Sequence, residues 1–120
     1  MSLIDTSYVP FLEKYLDVAA FRQTMISANL ANIDTPGYQS VDVAFQSELQ
    51  WASMNNFEQP VRPLVRHVQG LTARPDGNNV SLDREGMLLS ETQLQYKTAT
   101  EFLRAEFRRL LGAINDGKES

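Results

Sequence analysis

The 120-residue chain has no cysteine. That excludes disulfides, zinc–thiolate centres and thiol nucleophiles, and it leaves the redox compartment open. It has one histidine, His67, so a two-histidine metal site is impossible and any Ser-His-Asp triad would have to be built on that residue. No Gly-x-Ser-x-Gly elbow, Gly-x-Gly-x-x-Gly turn or Walker motif is present. No apolar run approaches the roughly 20 residues that a membrane-spanning helix needs. Met1 to Pro10 has neither a basic start nor an apolar core, so no cleaved secretory signal peptide and no membrane insertion are expected. Positive charge is also in deficit: the formal net charge of -4 argues against a nucleic-acid partner, whose binding surfaces are basic. Nothing here asks for a cofactor or a metal, and most enzyme chemistries have no support.

What the chain does have is helical periodicity at its two ends. The five prolines stand at positions 10, 36, 60, 63 and 75 and bound the helical runs. In the first run, residues 8–34, Leu12, Leu16, Ala19, Ile26, Leu30 and Ile33 follow a heptad, with Gln23 the polar gap in it. Phe21, Met25 and Ala28 form a second apolar line beside the first. Asp5 or Ser7 is placed to cap the start, and Pro36-Gly37 marks the end. In the last run, residues 81–115, Leu82, Leu89, Tyr96, Leu103 and Leu110 recur every seven residues, and the companion positions four further on are Gln93, Thr100, Phe107 and Ile114. Ser81 reads as the N-cap, Asp83 and Glu85 as favourable first-turn charges, Gly86 as a bend or a later start, and Asn115-Asp116-Gly117 as a stop. Between the helices, residues 35–80 read as irregular. Tyr38, Val41, Val43 and Phe45 suggest an extended stretch, Trp51, Met54 and Phe57 a brief helix anchored by the tryptophan, and Asp76-Gly77-Asn78-Asn79 a turn.

The expected fold is therefore mainly α: two long terminal helices forming an α-helical coiled coil, with a short, partly extended middle, in a single domain over 1–120. A single hairpin buries one stripe of each helix, which leaves the second apolar line and Phe102 over. Those residues either pack on neighbouring molecules or meet a middle-zone helix in a small bundle. Periodicity does not choose between the two.

The most distinctive string is Ser27-Ala28-Asn29-Leu30-Ala31-Asn32-Ile33-Asp34-Thr35-Pro36-Gly37-Tyr38. Asn29 and Asn32 lie one turn apart near a helix end, where amides can serve carbonyls that have lost their intrahelical partners. Asp34 and Thr35 can close a turn, Pro36 fixes φ, Gly37 permits a left-handed exit, and Tyr38 can fold back on the helix. The string resembles the signature Asn-x-Ala-Asn-x-(Asp/Asn)-Thr-Pro-Gly-Tyr of the flagellar rod and hook axial proteins. The short chain, Val41-Asp42-Val43-Ala44-Phe45 after the motif, and Asp76 to Glu85 at the start of the last helix are similar to the proximal rod members of that family. Ile33 and Gly86-Met87 depart from the pattern.

The resemblance implies a non-enzymatic structural protein of the bacterial flagellum basal body: a proximal rod subunit at the MS-ring end of the drive shaft, in the periplasmic space. It implies export from the cytoplasm by the flagellar type III apparatus. Its implied partners are other copies of itself, other proximal rod proteins, the adaptor FliE and the MS ring. It places the helix-exit corner at Asn29, Asn32, Asp34, Thr35, Pro36, Gly37 and Tyr38. The assembly interface would be Leu12, Leu16, Ala19, Ile26, Leu30, Ile33, Leu89, Tyr96, Leu103, Phe107 and Leu110.

A small helical adaptor or secretion chaperone, acting as a soluble dimer, would share the acidity and the amphipathic helices but not the Thr-Pro-Gly-Tyr string. An enzyme would need His67 with Asp76 or Glu58 as acid and base. Arg62, Arg66 and Arg74 read either as a patch for an acidic neighbour or as a solvated face. Asn79-Val80-Ser81 matches a glycosylation acceptor by chance.

Overall fold

A computed structural model describes residues 8–57 and 64–119. Its elements run α1 (Tyr8–Ala31), β1 (Val41–Val43), α2 (Phe45–Met54), β2 (Val65–His67) and α3 (Leu82–Glu119). Asp5, Ser7, Glu58 and Arg62, which the sequence brought into play, lie outside the described residues.

The molecule is a rod 71 Å long and 26 by 17 Å in cross-section. Its frame is α1 packed antiparallel on α3: Asn29 near the end of α1 meets Glu85 near the start of α3, while Phe11 and Leu12 share a groove with Ala99 and Phe102. At 1.5 Å per residue, 24 residues make about 36 Å and 38 residues about 57 Å. The last part of α3 therefore projects past the described start of α1.

The expected seam holds on α1, where Leu12, Ala19 and Ile26 are buried together with Val18. On α3 it does not. The buried line there is Glu85, Leu88, Thr92 and Ala99, whereas Leu82, Tyr96 and Phe107 are exposed and Leu89, Leu103 and Leu110 are half-buried. The helix is turned by about one residue, or roughly 100°, from the phase its leucines suggest. Two causes are visible: Thr92 and Ala99 are small enough for close approach to α1, and Glu85 is fixed by its bond to Asn29.

The middle segment supplies a third helix. α2 begins at Phe45, inside the stretch expected to be extended, and ends at Met54, short of the expected Phe57. It covers the N-terminal half of α1 through aromatic contacts. Tyr15 meets Phe45 edge-on at 5.1 Å between ring centroids, and Phe11 meets Phe57 at 5.9 Å. Such pairs contribute about 0.5–1.5 kcal/mol beyond area burial. Asn56 and Phe57 close α2 with positive φ of 55° and 59°. That conformation is costly for a phenylalanine, and the ring contact with Phe11 accompanies it. Trp51 is half-buried within α2.

β1 and β2 form an antiparallel ribbon with Val41 opposite His67, Asp42 opposite Arg66 and Val43 opposite Val65. The buried Glu48 of α2 ties into it, accepting from the Leu64 amide at 3.0 Å.

Two expected helix boundaries are corrected. α3 runs through Gly86 and continues through Asn115-Asp116-Gly117 to Glu119. A single helical glycine costs only about 1 kcal/mol, and no proline stands there to stop the helix. α1 ends at Ala31, earlier than residue 34, because the chain tightens at once into shorter-range bonds, Ile33 N–H to Leu30 O and Thr35 N–H to Asn32 O.

Candidate functional site: the helix-exit corner

The end of α1, the segment that follows it and the approach to α3 converge on one corner, built mostly from side-chain amides. Asn29 is its centre and is 1% exposed. Its Oδ1 accepts from the Val41 amide at 2.9 Å and from the Tyr38 hydroxyl at 3.1 Å. Its Nδ2 donates to the Val41 carbonyl at 2.9 Å and to Glu85 Oε1 at 3.0 Å. The amide thus pairs with both backbone groups of Val41, as a neighbouring strand would, and all its hydrogen-bonding capacity is used. One side chain joins α1, β1, α3 and the motif tyrosine.

Asn32 works locally. Its Nδ2 donates to the Ala28 carbonyl at 2.8 Å, which also accepts from the Asn32 amide at 3.2 Å, and its Oδ1 accepts from the Thr35 hydroxyl at 3.1 Å. Gly37 has φ of 76° and so makes the left-handed exit that the sequence asked for. Asp34 and Pro36 are exposed; Asp34, expected to help close the turn, has no hydrogen bond among the described residues, and Thr35 does that work.

The segment before α3 clamps the corner from the other side. Asn78 is fully buried, and its Nδ2 donates to the Asn32 and Thr35 carbonyls at 2.9 and 2.8 Å, while its Oδ1 accepts from the Val80 amide. Asn79 Oδ1 accepts from the Ser40 amide at 2.6 Å, and its Nδ2 donates to Gln39 Oε1 at 2.8 Å. The Gly37 amide donates to the Asp76 carbonyl at 2.9 Å. Arg74 donates to the carbonyls of Val80 and Ile33. Gly77, at φ of 87°, lies against Gly37 so closely that a Cβ there would sit 3.4 Å from the Gly37 Cα. Each turn needs a glycine for its own φ, and the two are in contact.

Charge closes the outer side. Asp42 accepts from Arg22 Nε and Nη2 at 3.2 Å each, from Arg84 Nη2 at 3.3 Å and from the Val43 amide at 2.7 Å. Arg84 also donates to Glu85 Oε1 at 2.9 Å. Glu85 is fully buried, and its Oε2 has no hydrogen-bond partner among the described residues. Ser81 caps α3 as expected, its Oγ accepting from the Arg84 amide at 3.2 Å. Burial, and secondarily the charge of Glu85, raises the Tyr38 phenol above its usual 10.0, with the Asn32 amide acting in the opposite sense. Tyr38 therefore remains a hydrogen-bond donor to Asn29 at neutral pH.

Sequence reasoning found the motif half of this corner and missed its other half. Asn78 and Asn79 were legible only as a turn, Glu85 only as a first-turn charge, and Arg74 as one of an arginine patch. Arg74 is instead a clamp, about 40 residues from its partner Ile33. The available signal was a pair of adjacent asparagines following Asp-Gly, since a turn needs only one. His67 is exposed on β2, and among the described residues no acidic and histidine side chains gather as a metal site would require. No described helix is long and apolar enough to cross a membrane.

The α1 half of the corner lies within the stretch that matches a known family. Residues 17–39, from the middle of α1 to just beyond Tyr38, match the family described as flagella basal body rod protein. Over 113 residues the chain is 32% identical to the flagellar basal body rod protein FlgB of Borreliella burgdorferi, covering 77% of this chain and 84% of that one. The chain belongs to the FlgB family of flagellar basal body rod proteins. FlgB of Bacillus subtilis is 31% identical over 121 residues, covering 89% and 92% of the two chains. FlgB of Escherichia coli K12 is 27% identical over 127 residues, with 89% and 92% covered. Like the rest of its family the chain is a structural component of the basal body rod and not an enzyme.

Proposed function

We propose that this FlgB-family chain is a proximal rod subunit at the MS-ring end of the drive shaft, held there by packing of its terminal helices. Delivery through the flagellar type III apparatus and assembly in the periplasmic space complete the reading. Its partners are other copies of itself, other proximal rod proteins, the adaptor FliE and the MS ring.

The observation that carries this reading is the surplus of apolar surface on α3. Where α1 covers its inner face the helix still exposes Tyr96 and Phe102, and on the part that runs on past α1 it exposes Phe107, Leu111 and Ile114. Apolar side chains spread over this length of helix are a contact surface in need of cover. Each one fully buried in an assembly contributes about 1.5–3 kcal/mol, so a few per interface give a stiff tube. Leu89, Leu103 and Leu110 flank that surface on α3. Leu16 and Leu30 on α1, and Ile33 just past its end, are half-buried and retain area for a neighbour, whereas Leu12, Ala19 and Ile26 act from inside by holding α1 against α3. Packing between neighbouring subunits then adds to the pairing of the two helices within one chain.

In this reading the helix-exit corner fixes the direction in which the chain leaves the inner tube. Asn29, Asn32, Thr35, Gly37 and Tyr38 set the bend, Pro36 fixes φ within it, and Asp34 is left on the surface for a neighbour. Leu103→Asp or Phe107→Asp should leave export intact yet abolish rod assembly and swimming. Normal motility in both variants would refute the packing assignment.

A further inference from the structure

The chain has two Asp-Gly steps, Asp76-Gly77 and Asp116-Gly117. A glycine after an aspartate leaves its amide nitrogen unscreened by a side chain and lets the backbone swing that nitrogen toward the carboxyl carbon. The two steps have opposite settings. Asp116-Gly117 is exposed near the end of α3, and helix ends open at almost no cost. Asp76-Gly77 is tied into the helix-exit corner at each of its polar groups. The Gly77 amide donates to the Arg74 carbonyl at 2.8 Å, and the Asp76 carbonyl accepts from the Gly37 amide at 2.9 Å. Asp76 Oδ1 accepts from the Asn78 amide at 2.9 Å, and the Gly77 carbonyl accepts from Gln39 Nε2 at 2.8 Å. The nitrogen that could attack and the carboxyl group that it could attack are thus both engaged elsewhere, although Asp76 itself is exposed to water.

We propose that Asp76-Gly77 is an isoaspartate-forming site that the closed corner protects and the unfolded chain leaves open, and that the product bars the corner from closing. In the reaction the Gly77 nitrogen bonds to Cγ of Asp76. The carboxyl hydroxyl leaves with the amide hydrogen as water, giving a five-membered succinimide. One water then opens the ring. Opening at the main-chain carbonyl leaves Gly77 bonded through Cγ, so the mass is unchanged and the main chain is one carbon longer. No oxidant, reductant or cofactor enters. The carbonyl that receives the Gly37 amide is then no longer in the main chain. The extra carbon also shifts Asn78, whose Nδ2 must reach the Asn32 and Thr35 carbonyls, and it enlarges a turn already in contact with Gly37. The inference needs only the corner and not the rod reading. In a chain delivered unfolded, the mark measures the time spent waiting.

Two arms test it. The first incubates full-length chain folded in buffer and unfolded in guanidinium, and locates isoaspartate peptide by peptide with an isoaspartate methyltransferase and S-adenosylmethionine. Both steps should convert in guanidinium. In buffer Asp76 should convert at least about tenfold more slowly than in guanidinium, whereas Asp116 should slow far less. No slowing at Asp76, or equal slowing at the two steps, would overturn the proposal. The second arm returns chain aged in guanidinium to buffer and isolates the fraction modified at Asp76. Its urea midpoint should lie below that of unaged chain, and repeated cycles of methylation and ring opening, which return isoaspartate to aspartate, should restore it. Asp76→Glu, which would have to close a six-membered ring, should form no isomer at this step on ageing. An unchanged midpoint in the modified fraction, or a lowered one that repair does not restore, would overturn the proposal.

Discussion

The two ends of this molecule solve opposite problems. At the corner end, buried polar groups are paired almost to completion: Asn29 alone uses all of its bonding capacity on Val41, Tyr38 and Glu85. At the far end, α3 runs on with Phe107, Leu111 and Ile114 exposed and with surface ion pairs such as Arg104–Glu101 and Arg109–Glu106 along it. Such pairs contribute about 0–1 kcal/mol. The corner carries its own order within one chain, whereas the projecting helix has surface that only a partner can cover. Stability of the single chain should therefore be concentrated at the corner, and assembly should depend on the far end.

The largest contrast comes from Asn29→Leu. The change removes four hydrogen bonds, leaves the Val41 amide and the Tyr38 hydroxyl without their partner and leaves the buried Glu85 with Arg84 alone, so the chain should lose about 3 kcal/mol or more in urea unfolding. Gly77→Val should cost about 1–2 kcal/mol, because a β-branched residue is forced to positive φ against the backbone of Gly37. Arg74→Met should cost about 1 kcal/mol by freeing the carbonyls of Val80 and Ile33, read as a lower urea midpoint at unchanged slope.

A pH effect follows from two tyrosines. Burial, and secondarily Glu91, raises Tyr15; burial, and secondarily Glu85, raises Tyr38. Between the ordinary 10.0 and their folded values, the unfolded chain has lost these protons while the folded chain still holds them. Stability should therefore fall as pH climbs through that window, with no contribution from these groups below it. Ultraviolet titration of the phenolates alongside alkaline unfolding would show both. Smallest of all, Leu111→Ser should change the stability of the isolated chain by no more than about 0.5 kcal/mol. If Leu111→Ser and Asn29→Leu cost the same, the division between the two ends is wrong.

How much of this could be read beforehand depends on the range of the interactions. The α1 seam through Leu12, Ala19 and Ile26 and the Pro36-Gly37 exit are local facts, expressed in residues a few positions apart, and periodicity and turn chemistry captured them. The motif asparagines were visible as helix-end amides for the same reason. The partner of Asn29 was not, because Glu85 lies 56 residues away and nothing in a linear pattern links an amide to a distant carboxylate. The phase of α3 was lost for that reason too. Its leucines mark a stripe at heptad spacing, but which stripe faces α1 is decided by Glu85, Thr92 and Ala99, two of them polar. α2 was misplaced because Phe45 fits an extended alternation as well as it fits a helix start, and its contact with Tyr15 settles the matter only in three dimensions.

Neighbouring molecules in the rod should cover the apolar side chains on the projecting part of α3. The chain has no native cysteine, so Phe107→Cys supplies a single thiol at a half-exposed position. Maleimide labelling of that thiol should be rapid in the free chain and strongly suppressed in purified basal bodies. Equal labelling in both states would contradict the claim.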